Sequence, residues 1–152
     1  MAVLVSFYRY FAFNGPRVIT TSGIVILLGV AAIRLYWLAG GFLLARYPTY
    51  LAVYFAVLVT AAVVASVSMV IGRRPGLVKA GWMLGSLGSV ASIVMYVVSR
   101  TAGLPGLPQL VDRWDYPLGT FAMALAALFV GLHFSVLTGM NVAYPQRRYW
   151  HD

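Results

Sequence analysis

The chain has 152 residues, 62% of them hydrophobic and 9% charged, with eleven Lys and Arg against three acids and a net charge of +8. A water-soluble domain carries roughly 25% charged residues, so this deficit, with a mean hydropathy of +0.88, excludes a surface that faces water over most of its area. There is no Cys and no Glu, which excludes disulfides, thiolate metal sites and cysteine nucleophiles and removes a common proton carrier of membrane interiors.

The basic balance would fit nucleic acid only if the charges gathered on one face. They stand singly or in pairs between apolar runs, the pattern of loop residues that set topology and touch lipid headgroups. The expected partner is therefore the lipid bilayer and not nucleic acid.

Residues 1–13, MAVLVSFYRYFAF, are apolar and aromatic around Arg9. The run is too short to span, has no basic stretch ahead of its apolar part and no clear cleavage site, and so reads as an interfacial segment and not as a signal peptide. Asn14-Gly15-Pro16 is expected to break it, with Pro16 in the first turn of the next helix. Four spanning helices follow, at about residues 17–38, 49–71, 80–99 and 118–140; about 20 apolar residues at 1.5 Å rise match a ~30 Å hydrocarbon core. Arg34, near the far end of the first, is expected to snorkel to the interface. Residues 42–47 are expected on the membrane surface, residues 72–76 form a basic turn, and the loop 100–117 is shaped by Gly103, Pro105, Gly106 and Pro108.

The expected fold is all-α: an integral membrane bundle of four transmembrane helices with a short N-terminal interfacial segment, in one domain. Four spans put both termini on one side, with Arg9, Arg17, Arg73, Arg74, Lys79, Arg147 and Arg148; Arg34, Arg46, Arg100 and Arg113 lie opposite. The larger count predicts cytoplasmic termini in a multi-pass protein of the cell's inner membrane. Two aromatic belts are expected: Tyr36, Trp37, Tyr47, Tyr50, Trp114 and Tyr116 at one interface, and Tyr8, Tyr10, Trp82, Tyr144, Tyr149 and Trp150 at the other.

Small residues recur every fourth position on the third helix, as Gly81, Gly85 and Ser89 and as Gly88 and Ser92, and on the fourth, as Ala127, Gly131, Ser135 and Gly139. In lipid such strips let backbones approach and gain van der Waals contact, and the two are expected to pack on each other. The second helix offers Ala52, Ala56, Thr60, Ala61 and Ala65.

His133 is the one titratable side chain, tyrosines apart, well inside a span, and an intramembrane ionisable residue is a functional candidate by default. Helical phase places it opposite the Ala127/Gly131/Ser135/Gly139 strip, away from the tightest contact within the chain. It could make a structural hydrogen bond, touch a partner subunit, relay protons, or ligate a haem iron or chlorophyll magnesium; the cofactor stays unknown. Asp112 and Asp115 could hold a hard cation, or pair with Arg100 or Arg113. Ser86, Ser89 and Ser92 have no base placed by the sequence to activate them, so no catalytic residues are expected and no catalytic activity of the chain on its own.

The runs Ile33-Arg34-Leu35-Tyr36 and Ser99-Arg100-Thr101-Ala102-Gly103-Leu104-Pro105-Gly106, within residues 33–120, resemble a group of uncharacterised small four-helix membrane proteins of high-GC bacteria. In that group the position of Arg34 is often His. The resemblance implies a four-helix membrane bundle and no particular activity.

Three functional expectations follow. The leading one is a non-catalytic accessory subunit of a larger membrane complex, of respiratory or membrane-oxygenase type, with other membrane subunits as partners. The second is a haem-, pigment- or quinone-binding redox subunit using His133. The third is a small transporter, disfavoured for polar cargo because no span carries an acid.

Overall fold

A computed structural model describes residues 2–40, 47–71 and 75–143, with side chains described from residue 17 onward. Residues 42–46 of the expected surface segment, the basic pair Arg73-Arg74 and the tail from residue 144 lie outside the described residues. The fold is all-helical: α1 (Ala2–Ala39), α2 (Thr49–Ile71), α3 (Pro75–Thr101), a short 3-10 turn (Pro108–Leu110) and α4 (Pro117–Leu137). Among the described residues, four stretches are long and apolar enough to cross a membrane: Arg17–Ala39, Thr49–Ile71, Pro75–Thr101 and Pro117–Leu137. Each helix packs on its chain neighbours and α4 returns to α1, closing an up-and-down ring.

The sorting of side chains is that of a protein in lipid. Val25, Val53, Val57, Leu87, Val94, Phe121, Leu128 and Phe134 are exposed, while Arg34, Ser66, Ser89, Ser92, Ser99, Arg100 and His133 are buried. Water would reverse that distribution; hydrocarbon solvates the outer valines and leaves the polar groups to find one another inside. The chain is accordingly a multi-pass membrane protein.

Three elements differ from the sequence reading. Residues 2–16 are the opening turns of α1 and not a separate segment, because the helix runs through Asn14-Gly15-Pro16 without a break. Proline removes only its own N–H, and apolar helices absorb that loss where a broken backbone would leave more groups unpaired. The third helix begins at Pro75, whose fixed φ suits a first turn. The fourth ends at Leu137, three residues early, where Gly139 adopts φ +75° and turns the chain out of the helix.

The bundle has two unlike halves. The half nearer the chain termini is tightly filled. Trp82 stacks on Phe129 at 5.2 Å between centroids, and both are almost wholly buried, with Leu27, Ala31, Ala62, Ala65 and Met69 around them. Trp82 is thus a core residue and not a member of the interfacial belt. It fits because glycines face the large rings. A Cβ on Gly23 would lie 2.8 Å from Trp82 Cη2, and one on Gly85 would lie 2.8 Å from Phe129 Cε1. Gly81 brings α3 onto α2, its Cβ direction ending 2.8 Å from the Ala65 carbonyl oxygen. The expected α3 strip therefore packs, with Gly81, Gly85, Ser89 and Ser92 buried, although Gly88 meets nothing nearer than Leu58 at 3.8 Å.

The strip on α4 does not pack. Ala127, Gly131 and Gly139 are exposed, Ser135 is half-buried, and a Cβ on Gly131 or Gly139 would meet nothing within 4 Å. The buried face of α4 is Ala126, Phe129 and His133, because the gap beside Gly85 needs a large ring, which Phe129 supplies and the small strip cannot.

Candidate functional site

The other half of the bundle, away from the termini, is not filled. It holds a partly open cavity of about 160 Å³ lined by all four helices and the α3–α4 loop. α1 contributes Ile33, Arg34 and Trp37, and α2 with its preceding turn contributes Tyr47, Leu51, Tyr54 and Phe55. α3 contributes Ser92, Met95, Tyr96, Ser99 and Arg100; the loop and α4 add Leu104, Leu110, Tyr116, Ala122 and Met123. The loop caps this end through Leu107, 1% exposed, packed in a cluster with Leu51 and ringed by Trp37, Tyr47 and Tyr54. Gly103 and Gly106, at φ +78° and +77°, make the turns that bring Leu107 inward. Tyr50 donates to the Pro105 carbonyl at 2.8 Å and pins the loop to α2.

Two arginines stand in this apolar, aromatic wall. Arg34 is 7% exposed. Its guanidinium Nη2 donates to Ser92 Oγ, and that hydroxyl donates in turn to the Gly88 carbonyl at 2.6 Å. The expectation that Arg34 snorkels to the interface is overturned. It is one turn from Val30 and Ala31 and two from Leu27, all buried, so helical phase turns it inward. Arg100 is 5% exposed. Its Nη1 donates to the Leu110 carbonyl at 3.2 Å, and its Cζ lies 5.1 Å and 5.9 Å from the ring centroids of Tyr96 and Tyr116, within cation–π range. Its Nε is buried with no hydrogen-bond partner.

No described carboxylate neutralises either charge. Asp112 and Asp115 are exposed on the loop, and neither pairs with Arg100 or Arg113 among the described residues. Asp112 instead takes φ +59° and donates its backbone N–H to the Arg100 carbonyl at 3.0 Å. No group of three or more His, Cys, Asp or Glu able to hold a metal gathers among the described residues. Neither Tyr54 nor Tyr116 acts as a counter-ion. Tyr54 donates its hydroxyl to the Ala91 carbonyl at 3.2 Å and is therefore protonated. Tyr116, outside the spans, is held above the ordinary phenol range by burial first and by Tyr47 second, with Arg100 opposing.

His133 lies in the packed half. It is 6% exposed, shares a hydrogen bond through Nδ1 with Ser86 Oγ, and stands 5.5 Å from the Trp82 ring. Two expectations are corrected. His133 faces the interior contact between α3 and α4, since Phe129, one turn away, is drawn into the same interface. A base is also within reach of a serine after all. The pair does not line the cavity. Ser86 sits inside α3, where the neighbouring backbone N–H groups are used by the helix, so they cannot serve as oxyanion donors.

Arg34, Arg100 and the cavity were not singled out as a site by the sequence. The available signal was phase. Gly85, Ser89, Ser92, Tyr96 and Arg100 follow each other at steps of three or four along one face of α3. No family model, curated protein or solved structure matches the chain.

Proposed function

We propose that this multi-pass membrane protein is a non-catalytic binding protein that takes a small, largely apolar molecule from the bilayer into the cavity between its four helices. The observation that carries this reading is the cavity itself, about 160 Å³ with a lining of aromatic and aliphatic side chains. Dry apolar cavities of ~150 Å³ accept a molecule the size of benzene, and small-molecule sites are typically apolar enclosures with a few placed polar groups. The excess of Arg and Lys on the side of the termini supports cytoplasmic ends, and with that orientation the cavity would open in the outer half of the membrane.

The test is a cavity-filling variant. Ala122 lines the space on α4 and is only half-buried, so Ala122→Phe can occupy it without disturbing the Trp82–Phe129 core. Protein in phosphatidylcholine nanodiscs should bind butylbenzene saturably, and the variant should lose most of that binding while keeping its helical circular dichroism. Undiminished binding by a folded variant would refute the reading.

A second reading rests on the outer face of α4. Ala127 and Gly131 lie there uncovered, and small-residue strips favour close contact between membrane helices. This supports membership of a larger membrane assembly, as an accessory subunit. Gly131→Ile should then abolish co-purification of a membrane partner in mild detergent and leave the purified chain as stable as before; unchanged co-purification would count against it.

A further inference from the structure

The charge of the cavity narrows what can occupy it. Arginine stays protonated in any protein environment, and a buried ion without a counter-charge is strongly disfavoured. Each guanidinium has five N–H donors, and each gives one to the protein, Arg34 to Ser92 and Arg100 to Leu110. Arg100 is eased further by the faces of Tyr96 and Tyr116. Among the described residues Arg34 has the Ser92 hydroxyl as its one hydrogen-bond acceptor. The wall thus presents positive charge and unused planar donors to an apolar space, with no acid of the described chain to meet them.

Resting on the cavity reading above, we propose that the bound molecule is a hydrophobic monocarboxylate: one carboxylate, held by Arg34, on a hydrocarbon body of which a part about the size of benzene lies among Trp37, Tyr54 and Phe55. A carboxylate matches the planar fork of a guanidinium with two parallel hydrogen bonds. Ser92, which fixes Arg34, and Arg100 are eight residues apart on α3, roughly 12 Å along its axis. One small carboxylate therefore sits at the less compensated Arg34, and Arg100, beneath the loop, draws the anion into that end of the bundle. The same chemistry is offered by the head of a fatty acid in the membrane and by a free aromatic acid.

The experiment uses the full chain in phosphatidylcholine nanodiscs at pH 8, with 4-butylbenzoate and its neutral counterpart 4-butylbenzyl alcohol titrated calorimetrically against empty discs. The benzoate should bind saturably and at least about tenfold more tightly than the alcohol, the factor expected of a charge-assisted hydrogen-bonded pair. Arg34→Gln should erase that preference and leave alcohol binding intact; Arg34→Lys, which keeps the charge and loses the fork, should retain part of it. Equal binding of the two compounds to the unaltered protein, or a preference that survives in Arg34→Gln, overturns the proposal. The wild-type ratio decides alone if a variant does not fold. Failure of both compounds to bind overturns the cavity reading itself, whereas alcohol binding without preference overturns only the carboxylate. Displacement of benzoate by palmitate assigns the lipid source, and benzoate binding that palmitate does not displace assigns the soluble one.

Discussion

Replacing Gly81 by Ala isolates the contact that holds α3 against α2. The new Cβ would lie 2.8 Å from the Ala65 carbonyl oxygen, 2.8 Å from Met69 Cγ and 3.2 Å from Ser68 Cβ. Met69 can yield; a backbone carbonyl within α2 cannot. Reaching the 3.4 Å edge of ordinary contact needs a separation about 0.6 Å greater than the present 2.8 Å, and the two helices must move apart together. Overpacking of this kind costs about 1–3 kcal/mol, offset by up to ~1 kcal/mol because alanine favours helix over glycine. The net expectation is a loss of about 1–2 kcal/mol. Gly131→Ala is the matched control: it also lies within a spanning helix, yet its Cβ meets nothing within 4 Å, so it should be neutral or stabilising by up to ~1 kcal/mol. Unfolding of the purified chain in mixed micelles, driven by rising SDS fraction and followed by far-ultraviolet circular dichroism, measures both. Equal destabilisation by the two variants, or no effect of Gly81→Ala, would refute the assignment of α3 as the packing strip and α4 as the uncovered one.

Three further outcomes follow from the same geometry. Arg34→Leu removes a buried charge that no acid meets, so the ligand-free protein should be as stable as before or more so by about 1–4 kcal/mol; a loss of 2 kcal/mol or more in the same titration would show that the Arg34–Ser92–Gly88 chain is structural. Ser86→Ala strands the buried His133 Nδ1 and should cost about 1–3 kcal/mol, with a shift in tryptophan emission because Trp82 lies against the imidazole; unchanged stability and emission would show that the hydrogen bond contributes little. Leu107→Ala removes the side chain that anchors the α3–α4 loop and should cost about 2–5 kcal/mol. The damage should be local, seen as faster hydrogen exchange over residues 101–116 with the spans unchanged; uniform protection across the loop would contradict its role as the cap.

How much of this was legible beforehand differs by residue. Gly81 and Gly85 were readable as close-packing positions because their spacing puts them on one side of a helix. The matching pattern on α4 misled, since spacing shows that a strip exists and not which face meets the bundle. Phe129 decided that face, because only a large ring fills the gap that Gly23 and Gly85 leave beside Trp82. His133 followed Phe129 inward by helical phase and met Ser86, 47 positions away in sequence. Arg34 and Arg100 look in linear order like charges at helix ends, where snorkelling is the usual outcome; their inward direction depends on rotation about the helix axis.

By itself the order of amino acids determined the medium, the number of spans and their approximate ends. Those follow from the transfer of apolar side chains into hydrocarbon and from the need of each span to satisfy its own backbone, both of which are local sums over twenty or so residues. Only the tertiary structure decided which face of each helix turns inward, where the interior is filled and where it stays hollow, and that two guanidiniums border the hollow. Those depend on how the rings and glycines of four separate segments fit one another, a relation that no single stretch of the chain contains.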